Sequence, residues 1–249
     1  MASPVEQFEI KEIVRFGTIG DAPIALTNSG LHMLLIVGFI VGLLSFATRN
    51  SSLIPDRWQA FVESIYEFTA RMLRDATGKE GMKFFPFVFS LFLFILCSNL
   101  LGMVPGAFTV TSQIIVTAAL ALLVIGTVVV YGVIKHGTHF FGLFVPSGVP
   151  GWLAPFITVI EVISFMSRPI SLSLRLFANM LAGHIALKVF ASFIVSLLAT
   201  GGVVAILAPL PLLMTFAMVA FEILVAGLQA YVFAVLTCIY LNDALHPGH

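Results

Sequence analysis

The chain has 249 residues, of which 59% are hydrophobic and 10% charged, with a mean hydropathy of +1.09. Soluble domains carry about a quarter charged residues, so a soluble enzyme, a secreted disulfide scaffold and a DNA-binding domain are excluded. Twelve Lys and Arg balance twelve Asp and Glu, which leaves no net field to attract a nucleic acid or an acidic partner.

Residues 1–29 are mixed in polarity and lack the basic-then-apolar pattern of a signal peptide, so they read as a retained N-terminal segment. Residues 30–48 form a first span, because the apolar run from 31 to 47 approaches the ~20 residues needed to cross a bilayer. Residues 55–78 differ in kind. Trp58, Phe61, Val62, Ile65, Thr69, Met72 and Leu73 recur at helical spacing, opposite Gln59, Glu63, Glu67, Arg71, Arg74 and Asp75. This predicts an amphipathic helix on the membrane surface; the same pattern also suits a helix packed on a partner.

From 84 to 134 there are 51 residues without one Lys, Arg, Asp or Glu. Pro105-Gly106 divides the run and 109–113 make a short polar turn, so it predicts a hairpin of two spans, 84–104 and 112–134. The run 152–194 has 43 residues without a strong loop signal. A helix of that length is about 64 Å long, against a hydrocarbon core of ~30 Å. The stretch before Arg168-Pro169 is too short to span alone, so one tilted helix kinked near Pro169 is expected. A turn at 198–202 and a second long helix over 212–241 complete a tilted hairpin within 152–241, followed by a tail at 242–249. The predicted fold is an all-α membrane protein with about five crossings and one surface helix.

Basic residues set the orientation. Arg49, Arg57, Arg71, Arg74, Lys79, Lys83 and Lys135 fall on one side, and only Lys11 and Arg15 on the other. The positive-inside rule then puts the N-terminus outside and the C-terminus inside. Cys97 and Cys238, 141 positions apart in apolar runs, give no metal or disulfide spacing. With no Gly-rich phosphate loop either, no cofactor is expected.

The last two helices carry Glu161, Arg168, Arg175, His184, Lys188 and Glu222, with Asn179 and Gln229. A charge at a helix centre costs about 2.5–3.5 kcal/mol on insertion scales, so each needs a partner, water or a function. Glu161, Arg168 and Arg175 are seven apart and drift only ~20° per step, and Ser171 and Asn179 join their face. His184, nine positions after Arg175, lies on the opposite face with Lys188. Glu222 and Gln229 share a face of the last helix. Each polar stripe suits one of two separate aqueous routes. Arg168 and Lys188 also fit snorkelling towards the membrane boundaries. Arg175, among leucines with no acid on its own turn, points to a function, and His184 with Glu222 to a proton relay or a structural pair.

The stretch Ser173-Leu-Arg-Leu-Phe-Ala-Asn-Met-Leu-Ala-Gly-His184 resembles subunit a of F-type ATP synthases. Pro4-Val-Glu-Gln-Phe8, Ser98-Asn-Leu-Leu-Gly-Met-Val-Pro105, Leu228-Gln-Ala-Tyr-Val-Phe233 and Leu236-Thr-Cys-Ile-Tyr-Leu241 extend the similarity over nearly the whole chain. The resemblance implies a stator subunit in the inner membrane of a bacterium, working against a ring of c subunits beside b-type stalk subunits. It implies that Arg175 faces the ring, with Asn179 and Gln229 near it. His184 and Glu222 match the outer half-channel, in the order of mitochondrial and related bacterial forms, and Glu161 matches the inner one, with Ser171 on its face. A c-subunit carboxylic acid crosses lipid only when neutral. Arg175 would favour its anion and release the proton on one side, while rotation presents the carboxylate for reprotonation on the other.

Other classes make different demands. A self-contained proton-coupled transporter should show internal repeats, which are not evident. A purely structural subunit would not need the buried charges, and a membrane hydrolase lacks a catalytic cluster.

Overall fold

The structure is a computed structural model that describes residues 9–19, 22–49, 54–104, 107–137, 140, 142, 153–201 and 207–246. The Pro105-Gly106 break, the Pro4–Phe8 motif and part of the expected turn at 198–202 lie outside these residues. Among the described residues the elements are β1 (Glu12–Ile19), β2 (Ala22–Thr27), α1 (Asn28–Thr48), α2 (Arg57–Thr77), α3 (Phe85–Gly102), α4 (Ile114–His136), α5 (Ala154–Thr200) and α6 (Pro209–Leu245). Short 3₁₀ turns at Glu80–Phe84 and Val110–Ser112 precede α3 and α4. Among the described residues, five helices are long and apolar enough to cross a membrane. The all-α membrane expectation therefore holds for the apolar body of the chain.

The helices form where apolar runs meet good boundaries, and their hydroxyls are absorbed locally. Thr158, Ser167, Ser173 and Thr200 each donate to a carbonyl three or four residues back in α5, so these hydroxyls are satisfied within the helix. α5 is helical through Pro169, whose ring nitrogen cannot donate to the carbonyl of Phe165. α5 runs to Thr200, into the segment read as a turn, because Leu197, Leu198 and Ala199 keep the helical pattern as far as Gly201. α6 likewise runs to Leu245, so Asn242 and Asp243 belong to the helix rather than to a tail.

One element was not anticipated. β1 and β2 pair antiparallel, from Glu12 opposite Thr27 to Ile19 opposite Ala22, with irregular register at two points. β-branched residues favour the pairing. Asn28 joins the hairpin to α1: its Oδ1 accepts from the Lys11 N–H (3.1 Å) and the Ser29 N–H (2.9 Å), and its Nδ2 donates to the Glu9 carbonyl (2.9 Å).

The chain divides into two compact units. The first comprises Met1–Ile40, Phe94–Gln113 and Leu176–Gln229, and the second Val41–Leu93, Ile114–Arg175 and Ala230–His249. In the second, α2 buries Val62, Thr69, Ala70 and Leu73 and sets Tyr66 against Phe85 and Phe89 of α3. Trp58 and Phe61 stay about half exposed. α2 therefore packs on its own chain by one edge and leaves an aromatic edge open.

Candidate functional site

In the first unit a chain of buried polar groups links α3, the 109–112 segment, α5 and α6. Asn99 Nδ2 donates to the Ala226 carbonyl (3.1 Å), and Thr111 Oγ1 donates to Asn99 Oδ1 (2.7 Å). Ala226, buried and small, lets the asparagine reach the α6 backbone. Thr109 Oγ1 donates to the Gly102 carbonyl (3.1 Å) and lies 3.0 Å from His184 Nε2. Ser112 Oγ donates to the Thr109 carbonyl (2.7 Å).

His184 Nδ1 in turn stands 3.5 Å from Glu222 Oε1. The Glu222 side chain is 2% exposed, and its oxygens have no hydrogen bond among the described residues. A buried carboxylate in that state is costly. Glu222 also borders a cavity of about 440 Å³, lined by Asn179, Gly183 and Gln229 together with apolar residues that include Met218 and Phe221. The structure thus brings His184 and Glu222 together, and gathers Asn179, Glu222 and Gln229 around one cavity.

The remaining predicted residues belong to the second unit. Ser171 and Arg175 are exposed on α5, and Glu161 is half-buried. Arg168 has a partner that explains it: its Nη1 donates to Asp243 Oδ2 of α6 at 2.7 Å, with the Tyr240 ring 5.0 Å and the Phe165 ring 5.4 Å from the guanidinium carbon. Lys135 of α4 reaches Glu80 Oε2 and the Leu245 carbonyl, each at 3.4 Å.

Arg175 and Ser171, four residues apart, are both exposed on the 47-residue α5. The sequence pattern of the family described as ATP synthase A chain matches residues 31–242. The chain belongs to that family. Proteins called ATP synthase subunit a from Xanthobacter autotrophicus, Azorhizobium caulinodans and Afipia carboxidovorans are 62%, 60% and 59% identical to it. These matches cover 99%, 99% and 100% of this chain and 98%, 98% and 100% of theirs. As an ATP synthase A chain it is a membrane subunit of a larger machine, not an enzyme in its own right. The self-contained transporter and hydrolase readings are set aside.

Within this family member, sequence reasoning missed Thr109, Thr111, Asn99 and Asp243 as parts of the polar framework. The hydroxyls at 109–112 read as a turn, although a polar cluster inside a 51-residue uncharged run was a signal. Asp243 was assigned to a tail, although a lone acid near the end of the last helix is a natural partner for Arg168.

Proposed function

We propose that this ATP synthase A chain is the proton-conducting stator subunit, with two offset half-channels that deliver protons to and from carboxylates on a ring of c subunits. In this reading Arg175 faces the ring and favours the carboxylate anion, while Asn179 and Gln229 restrain it. His184 and Glu222 line the outer half-channel, and Glu161 with Ser171 lines the inner one. The subunit sits in a bacterial inner membrane, N-terminus outside, with α5 and α6 strongly tilted because each is longer than the ~30 Å hydrocarbon core. b-type stalk subunits hold it against the torque.

The observation that carries this reading is the exposure of Arg175 on α5, a helix long and apolar enough to cross a membrane. Lipid alone would penalise that guanidinium, whereas a passing carboxylate compensates it. Its fixed charge also repels protons and so keeps the two half-channels separate. The buried Glu222–His184 pair adds a proton-holding group at membrane depth.

The test is proton flux in vesicles containing the reconstituted complex. Arg175→Ala is expected to assemble, to lose ATP-driven proton pumping, and to let protons leak down an imposed gradient. Normal coupled pumping by that variant would overturn the reading.

A further inference from the structure

We propose that Thr109 is a positioning residue of the proton path, fixing which nitrogen of His184 faces Glu222 as the proton acceptor. The inference rests on the reading of His184 and Glu222 as a proton-handling pair and adds a direction to it.

The argument begins at the end of α3. Gly102 is the last residue of that helix, so its carbonyl is among the four that lack an intrahelical donor. It is buried, and the Thr109 hydroxyl caps it at 3.1 Å. The close approach requires glycine: a Cβ on residue 102 would stand 2.8 Å from Thr109 Cγ2 and 3.2 Å from Thr109 Cα. A hydroxyl has one proton to donate. With that proton committed to Gly102, the oxygen can only accept from His184 Nε2, 3.0 Å away. Nε2 therefore carries a hydrogen, and in the neutral ring Nδ1 is the bare nitrogen.

Nδ1 is the atom 3.5 Å from Glu222 Oε1. Glu222 borders the cavity, so its carboxyl group has open space beside it in which to rotate towards the ring. The step is then defined. The Oε1–H bond of neutral Glu222 breaks and an Nδ1–H bond forms, giving carboxylate and imidazolium; the reverse step restores both neutral groups. No proton leaves through Nε2, because Thr109 could pass one on only to a carbonyl. Thr109 is itself held: Ser112 Oγ donates to its carbonyl, and Thr111 anchors the segment to Asn99.

The experiment is solid-state ¹⁵N NMR of the whole complex, labelled at histidine, in lipid vesicles. The His184 signals are assigned by difference against His184→Gln. Wild type should show a neutral ring protonated at Nε2. Thr109→Val, nearly isosteric, should lose that single tautomer, and Thr109→Ser should restore it. Proton flux should fall roughly tenfold in the valine variant, the factor equivalent to one net hydrogen bond, and recover with serine. A wild-type ring protonated at Nδ1, or a valine variant whose signals match wild type, would overturn the proposal. Failure of the underlying reading would look different: the tautomer would be as stated, but His184→Gln and Glu222→Gln would conduct at the wild-type rate.

Discussion

The carboxylate of Glu222 occupies the space that a side chain on Gly183 would fill: a Cβ there would stand 2.8 Å from Glu222 Oε1 and 3.2 Å from its Cδ. The residue next to His184 thereby sets how near the last helix's acid can come to the imidazole. The atoms in the way are the far end of a flexible side chain, so a methyl group would move the carboxylate rather than the helices. Gly183→Ala should therefore assemble normally and slow proton flux, by ~tenfold if the displaced contact is worth one net hydrogen bond. Wild-type flux in the alanine variant would mean that the His184–Glu222 distance does not govern conduction.

Arg168 and Asp243 make a second long-range link, between residues 75 apart in sequence. Both side chains are about three-quarters buried, and two aromatic rings flank the guanidinium. Neutralising either partner should destabilise its unit by about 1.5–3 kcal/mol, the range for hydrogen bonds to charged groups. A double-mutant cycle of Arg168→Gln and Asp243→Asn, read by thermal dissociation of the purified complex, should show coupling above ~0.5 kcal/mol. Strict additivity would leave Arg168 a snorkelling residue without a partner.

Asn99 satisfies two buried groups at once, the Thr111 hydroxyl and the Ala226 carbonyl. Asn99→Leu preserves approximate volume but leaves the Thr111 hydroxyl without its acceptor, at a cost of about 1–3 kcal/mol. The thermal midpoint of the complex should fall. The double variant Asn99→Leu/Thr111→Val should recover much of the loss, because it removes the stranded hydroxyl. A double variant less stable than Asn99→Leu alone would contradict the pairing.

The helices were legible because lipid imposes a simple rule: apolar length and charge position largely decide what spans. The 51 uncharged residues and the run around Pro169 translated into α3, α4 and α5 with small shifts at their ends. The meeting of His184 with Glu222 was also within reach, since ionisable groups within apolar helices call for polar neighbours. The β1–β2 hairpin was hidden because Gly17 and Pro23 interrupt its short strands, and the contacts of Asn28 that fix it reach back to Glu9 and Lys11. Thr109 was hidden for another reason. Its importance lies in two contacts, one to a helix-end carbonyl and one to a ring 75 residues away, and neither leaves a periodic mark on the sequence.

Arg175→Lys separates charge from shape at the exposed position on α5. Both side chains are cationic, so any mechanism that needs only a positive barrier between half-channels survives the exchange. An ammonium, however, is a compact and strongly hydrated point charge, whereas guanidinium is a planar fork able to engage two acceptors at once. In the proposed cycle the arginine releases one ring carboxylate as the next arrives, which is a two-site task. Arg175→Lys should therefore keep the membrane tight to passive proton leak, unlike Arg175→Ala, yet lower ATP synthesis driven by an acid–base jump by at least ~tenfold, as expected when a two-acceptor fork is replaced by a point charge. Vesicles that synthesise ATP at the wild-type rate with lysine would show that charge alone suffices. Vesicles that leak as freely as the alanine variant would show that the barrier, too, depends on the geometry of the guanidinium.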